Sequence, residues 1–422
     1  MDRTVRIQLH PTPEQAQALH ETLRQFTQAF NAVCRYGWQH REKNGVKLHH
    51  ATYYDTKASC PGLVSDHLIQ ARVKATEALK SAFTWKAKQE AAYPRRVAKA
   101  LKRGKPAPSF KPVKMPQSRL CPVRYNEKTF SLNWKSQEIR LSTSQGKIGL
   151  SFSIPSWSNK YEGYPVATAD LLYRKGKWWA HVVVQVPEPQ GDCSEEVIGI
   201  DLGLNRPAVT SSRRFLGSKH WKEVERRRFR LKRKLQSKGT KSAKRHLKKL
   251  SGKQRRFRRD ADHILSKHLV QHAPAGSTLI FENLTHIRDT SNMGRGIQNK
   301  NVQNKRKLHS WTFAQLYNFT AYKAQERGIR VAIIDPRHTS QTCSRCGYQH
   351  RANRRSQSLF LCRKCGYCLN ADLNAAQNIR EKYLASLAQD GTPVLSGSPR
   401  QAAYRLDSSG PETSLLPLGG GT

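Results

Sequence analysis

Acidic residues are scarce in this chain. Its 422 residues hold 30 Asp and Glu against 75 Lys and Arg, a formal net charge of +45. Each Lys or Arg that neutralises a phosphate releases condensed counterion, so a charge of this size points to nucleic acid as the partner. Solubility alone is served by a much smaller net charge. Long apolar runs are missing too. Nothing approaches the roughly 18 consecutive apolar residues of a membrane span, and the opening Met1-Asp2-Arg3 has no apolar signal segment. A membrane protein and a secreted protein are both disfavoured, and no membrane partner is expected. Cysteine is sparse, nine in all, and four of the nine form two close pairs near the C-terminus. That spacing suggests metal binding in a reducing compartment rather than a disulfide framework.

What is present is enough for two or three domains with real cores. Val5, Ile7 and Leu9 alternate with polar residues and predict a short strand. Thr12-Pro13-Glu14-Gln15 reads as a helix start, with Thr12 as cap, Pro13 at the first position and Gln15 reaching back. Leu19, Leu23, Phe26, Phe30 and Val33 then predict an amphipathic helix to about Trp38. A second helix is expected over 66–88, followed by a basic, Pro-rich linker at 95–112. From 123 to 186 the period changes to two, with turns at 144–146 and 174–176, which suggests a small β-barrel. The first strand would complete it, and the helices would be an insertion. After Pro187-Glu188-Pro189, apolar runs at 197–200, 278–281 and 330–334 read as buried strands among helices, an α/β layer. Residues 388–422 read as a disordered tail.

Three constellations carry chemistry. Cys343-Ser344-Arg345-Cys346 and Cys362-Arg363-Lys364-Cys365 are two C-x-x-C knuckles fifteen residues apart. That is the spacing of a four-thiolate Zn²⁺ site, closed and therefore structural. Cys368 lies close enough to compete. The second constellation is acidic: Asp201 and Glu282 each end a strand, and Asp372 stands at a helix start. Any one of them alone is more simply a cap or a surface charge. Together, carboxylates at adjacent strand ends and on an adjoining helix would suit Mg²⁺. Two such ions would activate water on one side of a phosphodiester and stabilise the leaving oxygen on the other. Third, residues 219–259 hold twenty Lys or Arg against Glu223 and Glu225. They predict two antiparallel helices with a basic face for phosphate, including Arg226, Arg227, Arg228, Lys232, Arg233, Lys248, Lys249, Arg255 and Arg256.

Gly199-Ile200-Asp201-Leu202-Gly203, Phe281-Glu282-Asn283-Leu284, the run from Thr339 to Gly347 and the run from Asp372 to Ile379 together resemble the signature blocks of TnpB. TnpB is the transposon-encoded, RNA-guided DNA endonuclease family thought ancestral to the type V CRISPR effectors. The resemblance implies a multidomain α+β and α/β architecture. A split β-barrel (wedge, first strand 1–10 and body 111–190) would carry an inserted helical recognition lobe at 11–110. A RuvC-type RNase H fold would follow at 191–337 and 371–387, with the basic helical hairpin at 219–272 and the zinc ribbon inserted at 338–370. Asp201, Glu282 and Asp372 would be its catalytic, Mg²⁺-binding triad, with two ions, and the ribbon would hold one Zn²⁺. The partners would be a guide RNA from the transposon end and double-stranded DNA bearing a short adjacent motif. The base pairing would read sequence while the protein reads the motif and backbone shape. The place of action would be the prokaryotic cytoplasm, at the nucleoid. Two positions depart from the family pattern: His338 stands where an aromatic is common, and Asn370 where an Asp is.

Motif reading would fall to the helical lobe. Gln70 and Lys74 lie one helical turn apart, and Tyr53 and Tyr54 are placed to stack or wedge at a duplex. All four are equally readable as ordinary helix-surface residues. Two rivals stay open at this point. One is a guide-independent resolvase or transposase of the same fold, and the other is an RNA-guided repressor that binds without cutting.

Overall fold

The computed structural model describes residues 1–189, 194, 196–204, 206–285 and 313–390, with side chains to residue 388. They cluster into two compact units, Met1–Pro187 and Glu188–Thr422.

The first unit opens with strand β1 (Asp2–His10) and helix α1 (Pro13–Gln39). The capping box expected from sequence forms in full. Thr12 Oγ1 accepts from the Gln15 amide at 3.3 Å, and the Thr12 amide donates to Gln15 Oε1 at 3.0 Å. Such a cap contributes about 1 kcal/mol. Two further helices follow, α2 (Gly45–Ser59) and α3 (Ser65–Leu101). The sequence reading missed α2 because its buried stripe is Leu48, Thr52 and Thr56, mostly hydroxyl rather than hydrocarbon. Each threonine returns its proton to the carbonyl one turn back, Thr52 to Leu48 and Thr56 to Thr52. The stripe is thus buried without an orphaned donor, yet a hydrophobic count does not register it.

The linker expected from residue 95 is corrected as well: α3 continues through Pro94 to Leu101. Proline removes one amide and crowds the carbonyl four residues back. The buried residues of α3 end at Leu79, so water can solvate that carbonyl. From within the helix, Tyr93 donates to the Pro108 carbonyl of the following segment at 3.1 Å and meets the Phe110 ring edge-on.

Seven strands form one antiparallel sheet: β1, β2 (Val123–Tyr125), β3 (Phe130–Asn133), β4 (Glu138–Thr143), β5 (Gly146–Ser153), β6 (Val166–Arg174) and β7 (Lys177–Gln185). Their order is β2-β6-β7-β1-β5-β4-β3. The N-terminal strand is therefore central, paired with β5 and β7. The two edge strands are joined by only residues 126–129, so the sheet must curl into a nearly closed barrel. α1 to α3 fall between β1 and β2, and Leu19, Phe26 and Leu79 share one core with Val5, Ile139 and Val182.

The second unit is built on a mixed five-stranded sheet of β8 (Val197–Asp201), β9 (Ala208–Thr210), β10 (Phe215–Leu216), β11 (Thr278–Glu282) and β12 (Arg330–Ile334), in the order β10-β9-β8-β11-β12. β8, β11 and β12 are parallel, while β9 and β10 turn back antiparallel. Between β9–β10 and β11 stands a hairpin of α4 (Lys219–Lys238) and α5 (Lys241–Gln271), broken at Gly239 in the left-handed conformation. Helix α6 (Phe313–Gln325) precedes β12. A two-stranded ribbon, β13 (Leu359–Leu361) and β14 (Cys368–Asn370), leads directly into α7 (Ala371–Asp390). The expected tail thus starts later than 388, since residues 388–390 are helical. Its remainder, 391–422, lies outside the described residues.

Candidate metal centres and nucleic-acid surface

Strand register brings two of the three acids together. Ile200 pairs with Phe281 across β8 and β11, so Asp201 and Glu282 leave the same carboxyl edge on neighbouring strands, about 4.8 Å apart in the sheet. From β8 the chain turns to β9 and β10 on one side, whereas β11 continues to β12 on the other. The acids therefore stand at the point where the sheet's winding reverses, the usual place for a ligand in open α/β sheets. The third comes from α7. Asn370 caps that helix, its Oδ1 accepting from the Asp372 and Leu373 amides at 3.1 and 3.3 Å. Asn370 is thereby a cap, and Asp372 sits in the first turn. α7 lies so close on β8 that a Cβ at Gly199 would run into the Ala376 carbonyl and the Arg380 backbone nitrogen. Only glycine permits that approach.

These carboxylates feel one another. Burial, then the charges of Glu282 and Asp372, push the Asp201 carboxyl well above its ordinary range, against the pull of Arg354. Burial raises Glu282 to about 7, despite a hydrogen bond from Thr339 and the charges of Arg354 and Lys382. Asp372 is also raised, by burial, while Arg354 opposes the shift. Buried like charges of this kind call for a cation. Hard oxygen donors at a strand-end cleft fit a divalent ion such as Mg²⁺. The three oxygens are less tightly gathered than the thiols. Among the described residues, only the four cysteines form a group whose ligand atoms all lie within 4.8 Å of one another.

That thiol group is Cys343, Cys346, Cys362 and Cys365, with Cys343 and Cys365 sulfurs 3.8 Å apart and Cys346 and Cys362 sulfurs 3.6 Å apart. Gly347 and Gly366 take the left-handed conformation that closes each knuckle. At Cys362, burial works against the thiolate, but the amides of Cys365 and Lys364 outweigh it and bring the thiol down to about 7. Four soft donors at this spacing fit Zn²⁺ and leave no open position. Cys368 is exposed on β14 and outside the cluster, so the competition expected of it does not arise.

Sequence reasoning missed Arg354. It lies between the two knuckles, where Nη2 meets Asp372 Oδ1 at 3.2 Å and the charge reaches all three acids. Five arginines stand within 345–363, so composition alone could not single it out. The informative signal was its neighbour. Asn353, fully buried, donates to the Gln341 and Tyr348 carbonyls and accepts from the Arg363 amide, pinning the turn from which Arg354 projects.

The basic hairpin presents Arg226, Arg227, Lys232, Arg233, Lys248, Lys249, Arg255 and Arg256 on exposed positions. Arg228 is half-buried, its guanidinium 4.5 Å from the Phe257 ring centroid, so it packs the hairpin together. In the first unit Tyr54 is 78% exposed on α2, while Tyr53 is half-buried and donates to Ser65 Oγ at 3.2 Å. Gln70 is half-buried on α3. Lys74 is corrected. It does not lie on the helix surface as expected: it is 9% exposed, 3.0 Å from Asp170 and 2.9 Å from the Pro122 carbonyl, and so bonds α3 to the barrel.

Two family models match the second unit and its approach: a probable transposase family (OrfB_IS605) over residues 181–287 and the TNB domain of Cas12f1-like proteins over 313–379. Among curated relatives, a CRISPR-associated endodeoxyribonuclease Cas12f1 of Sulfoacidibacillus thermotolerans is 32% identical over 240 residues, 51% of this chain and 53% of that one. A TnpB-like protein of Aquifex aeolicus (strain VF5) is 34% identical over 115 residues, 27% of this chain and 35% of that one. The TnpB resemblance stands. The matched stretch spans about half the length of the Cas12f1 relative and about a third of the TnpB-like one. A solved Cas12f1–sgRNA–target DNA complex aligns with 87% of this chain and 83% of its own, with TM-score 0.56 and 18% identity. That likeness is one of fold, a mixed α/β effector architecture with a barrel and a ribbon. Among the described residues no helix is long and apolar enough to cross a membrane.

Proposed function

We propose that the chain is an RNA-guided, Mg²⁺-dependent DNA endonuclease of an insertion-sequence transposon, acting in the cytoplasm at the nucleoid. The observation that carries this reading is the acid cluster. Asp201 and Glu282 leave adjacent parallel strands at the reversal point of the sheet, and Asp372 is close enough to raise the Asp201 carboxyl. The strand order, with its antiparallel second strand, supports a RuvC-type RNase H fold for this unit. The relatives' names, endodeoxyribonuclease and TnpB-like, and the solved complex with sgRNA and target DNA support the substrate and the partners.

Asp201, Glu282 and Asp372 would hold the divalent ions as carboxylates. Bound there, two ions supply an activated water and Lewis acidity toward the phosphate and leaving oxygens. The chain's own contribution is to hold three largely buried carboxylates together despite their repulsion. Arg354 offsets part of that repulsion from the ribbon side. Cys343, Cys346, Cys362 and Cys365 would hold one Zn²⁺ that closes the ribbon from which Arg354 projects. The exposed cations of α4 and α5 would track nucleic-acid phosphates. With Lys74 committed to Asp170, Gln70 and Tyr54 remain the candidates for contact with the adjacent motif.

Sequencing the RNA that copurifies, then replacing its guide segment, tests the reading. A cut that moves with the new guide, next to a fixed short motif, is expected. An RNA-free preparation that cuts a defined sequence would make the protein a guide-independent resolvase or transposase. Target binding without cutting in Mg²⁺ would make it a repressor.

A further inference from the structure

Resting on that nuclease reading, we propose that Thr339 is a positioning residue for Glu282, and that two asparagines of α7 hold the loop that carries it. Glu282 ends β11 with a flexible side chain, and a carboxylate free to rotate loses entropy each time it binds an ion. Thr339 is 5% exposed, and its Oγ1 lies 2.9 Å from Glu282 Oε1 and 3.0 Å from the Pro336 carbonyl. The hydroxyl has one proton to give. An ionised carboxylate is the stronger acceptor, so a cation-binding Glu282 takes it and is fixed in one rotamer.

The loop is anchored at several points. His338, immediately before Thr339, adopts φ +67°, a left-handed conformation that a side chain other than glycine's rarely takes. Its Nδ1 lies 2.9 Å from Gln349 Nε2 of the ribbon. Asn378 Nδ2 donates to the Thr339 and Thr342 carbonyls, both at 2.7 Å. Asn374 Nδ2 donates to the Thr342 carbonyl at 2.8 Å, while its Oδ1 accepts from the Ser344 amide at 3.0 Å. Ser344 lies inside the first cysteine knuckle. Helix α7 thus carries Asp372 itself, holds the Thr339 loop through Asn378, and grips the knuckle through Asn374. Strain at a non-glycine residue persists where surrounding bonds over-determine it, and here those bonds fix the loop from which Thr339 reaches Glu282.

Groups that orient a metal ligand from behind typically change affinity or activity ten- to a hundredfold. The test is Mn²⁺ binding to the ribonucleoprotein, read from the electron paramagnetic resonance of free Mn²⁺, beside zinc content and cleavage rate. Thr339→Val keeps the shape and removes the proton; it should weaken Mn²⁺ binding about tenfold or more, with zinc unchanged, and Thr339→Ser should restore it. Asn378→Ala keeps the hydroxyl and frees the loop, and should weaken binding in the same direction. Wild-type Mn²⁺ affinity in Thr339→Val overturns the role of the hydroxyl, and wild-type affinity in Asn378→Ala overturns the clamp. Both results require that Asp201→Ala abolish Mn²⁺ binding; if the parent protein shows no binding that Asp201→Ala removes, the nuclease reading itself falls together with this inference.

Discussion

The two units bury different things. In Met1–Pro187 one continuous apolar cluster joins the barrel to α1 through α3, and its buried ionisable side chains are mostly neutral or paired. In the second unit the apolar residues fall into several smaller clusters, one of them built around Cys343 and Cys362 of the thiol group, and the three acids are buried or half-buried beside them. Hydrocarbon burial stabilises the first unit in the absence of any ligand. The second has groups whose repulsion or unused donor capacity only cations relieve. The contrast leads to an expectation: the first unit should fold without a ligand, and the second should depend on bound metal.

Breaking the thiol cluster should separate them most. Cys362→Ser should release zinc and lower the unfolding temperature of the second unit, because structural zinc sites contribute on the order of 10 kcal/mol. Zinc analysis with domain-resolved calorimetry checks this; an unchanged zinc content would contradict the four-thiolate site, and equal loss in both units would contradict the contrast.

Acidity sharpens the same contrast, with opposite signs. His67 is fully buried, neither ring nitrogen has a partner, and burial lowers it to about 4. Between about pH 6.5 and 4 the unfolded chain binds the proton and the folded one does not. The first unit should therefore lose stability as pH falls through that window, His67 contributing about 3 kcal/mol at most; His181, also lowered to about 4 by burial, adds a loss of the same sign, so the His67→Phe difference is the quantity to measure. Glu282, raised to about 7, behaves in reverse. From pH 4.5 to 7 the folded state keeps a proton that the unfolded state has released, so without metal the second unit weakens as pH rises. His263, lowered to about 4, offsets part of that slope, so the Glu282→Gln difference is the quantity to measure. Added Mg²⁺ should abolish the fall; a Mg²⁺-insensitive slope would contradict the cation site.

The mildest effect is at the surface. Replacing Arg226, Arg227, Lys232 and Arg233 by Ala should weaken RNA binding and lower the salt slope by up to about 0.7–0.9 per lost phosphate contact. Folding should be untouched. An unaltered slope would make the hairpin a bystander.

How far the sequence alone leads also differs between the units. Local signals read well: the Thr12 cap, the alternation of the barrel strands and the cysteine spacing each depend on residues near in sequence. α2 did not, because threonines replaced hydrocarbon on its buried stripe, and the basic, Pro-rich composition after residue 95 hid a helix that runs on to Leu101. At the candidate site, the ends of β8 and β11 and the start of α7 were legible as acids after apolar runs. Arg354, Thr339 and Asn378 were not, since each acts through a partner 18 to 57 residues away that only the fold supplies. The burial of Lys74 was hidden for the same reason: its partner, Asp170, stands on β6, far along the chain.

Whether the three acids share divalent ions can be read from anomalous scattering by crystals soaked in Mn²⁺. The account predicts Mn²⁺ peaks bound by oxygens of Asp201, Glu282 and Asp372, lost in Asp201→Ala, beside a zinc peak among the four sulfurs. Mn²⁺ bound elsewhere, or none at the acids while the zinc peak is present, would contradict it.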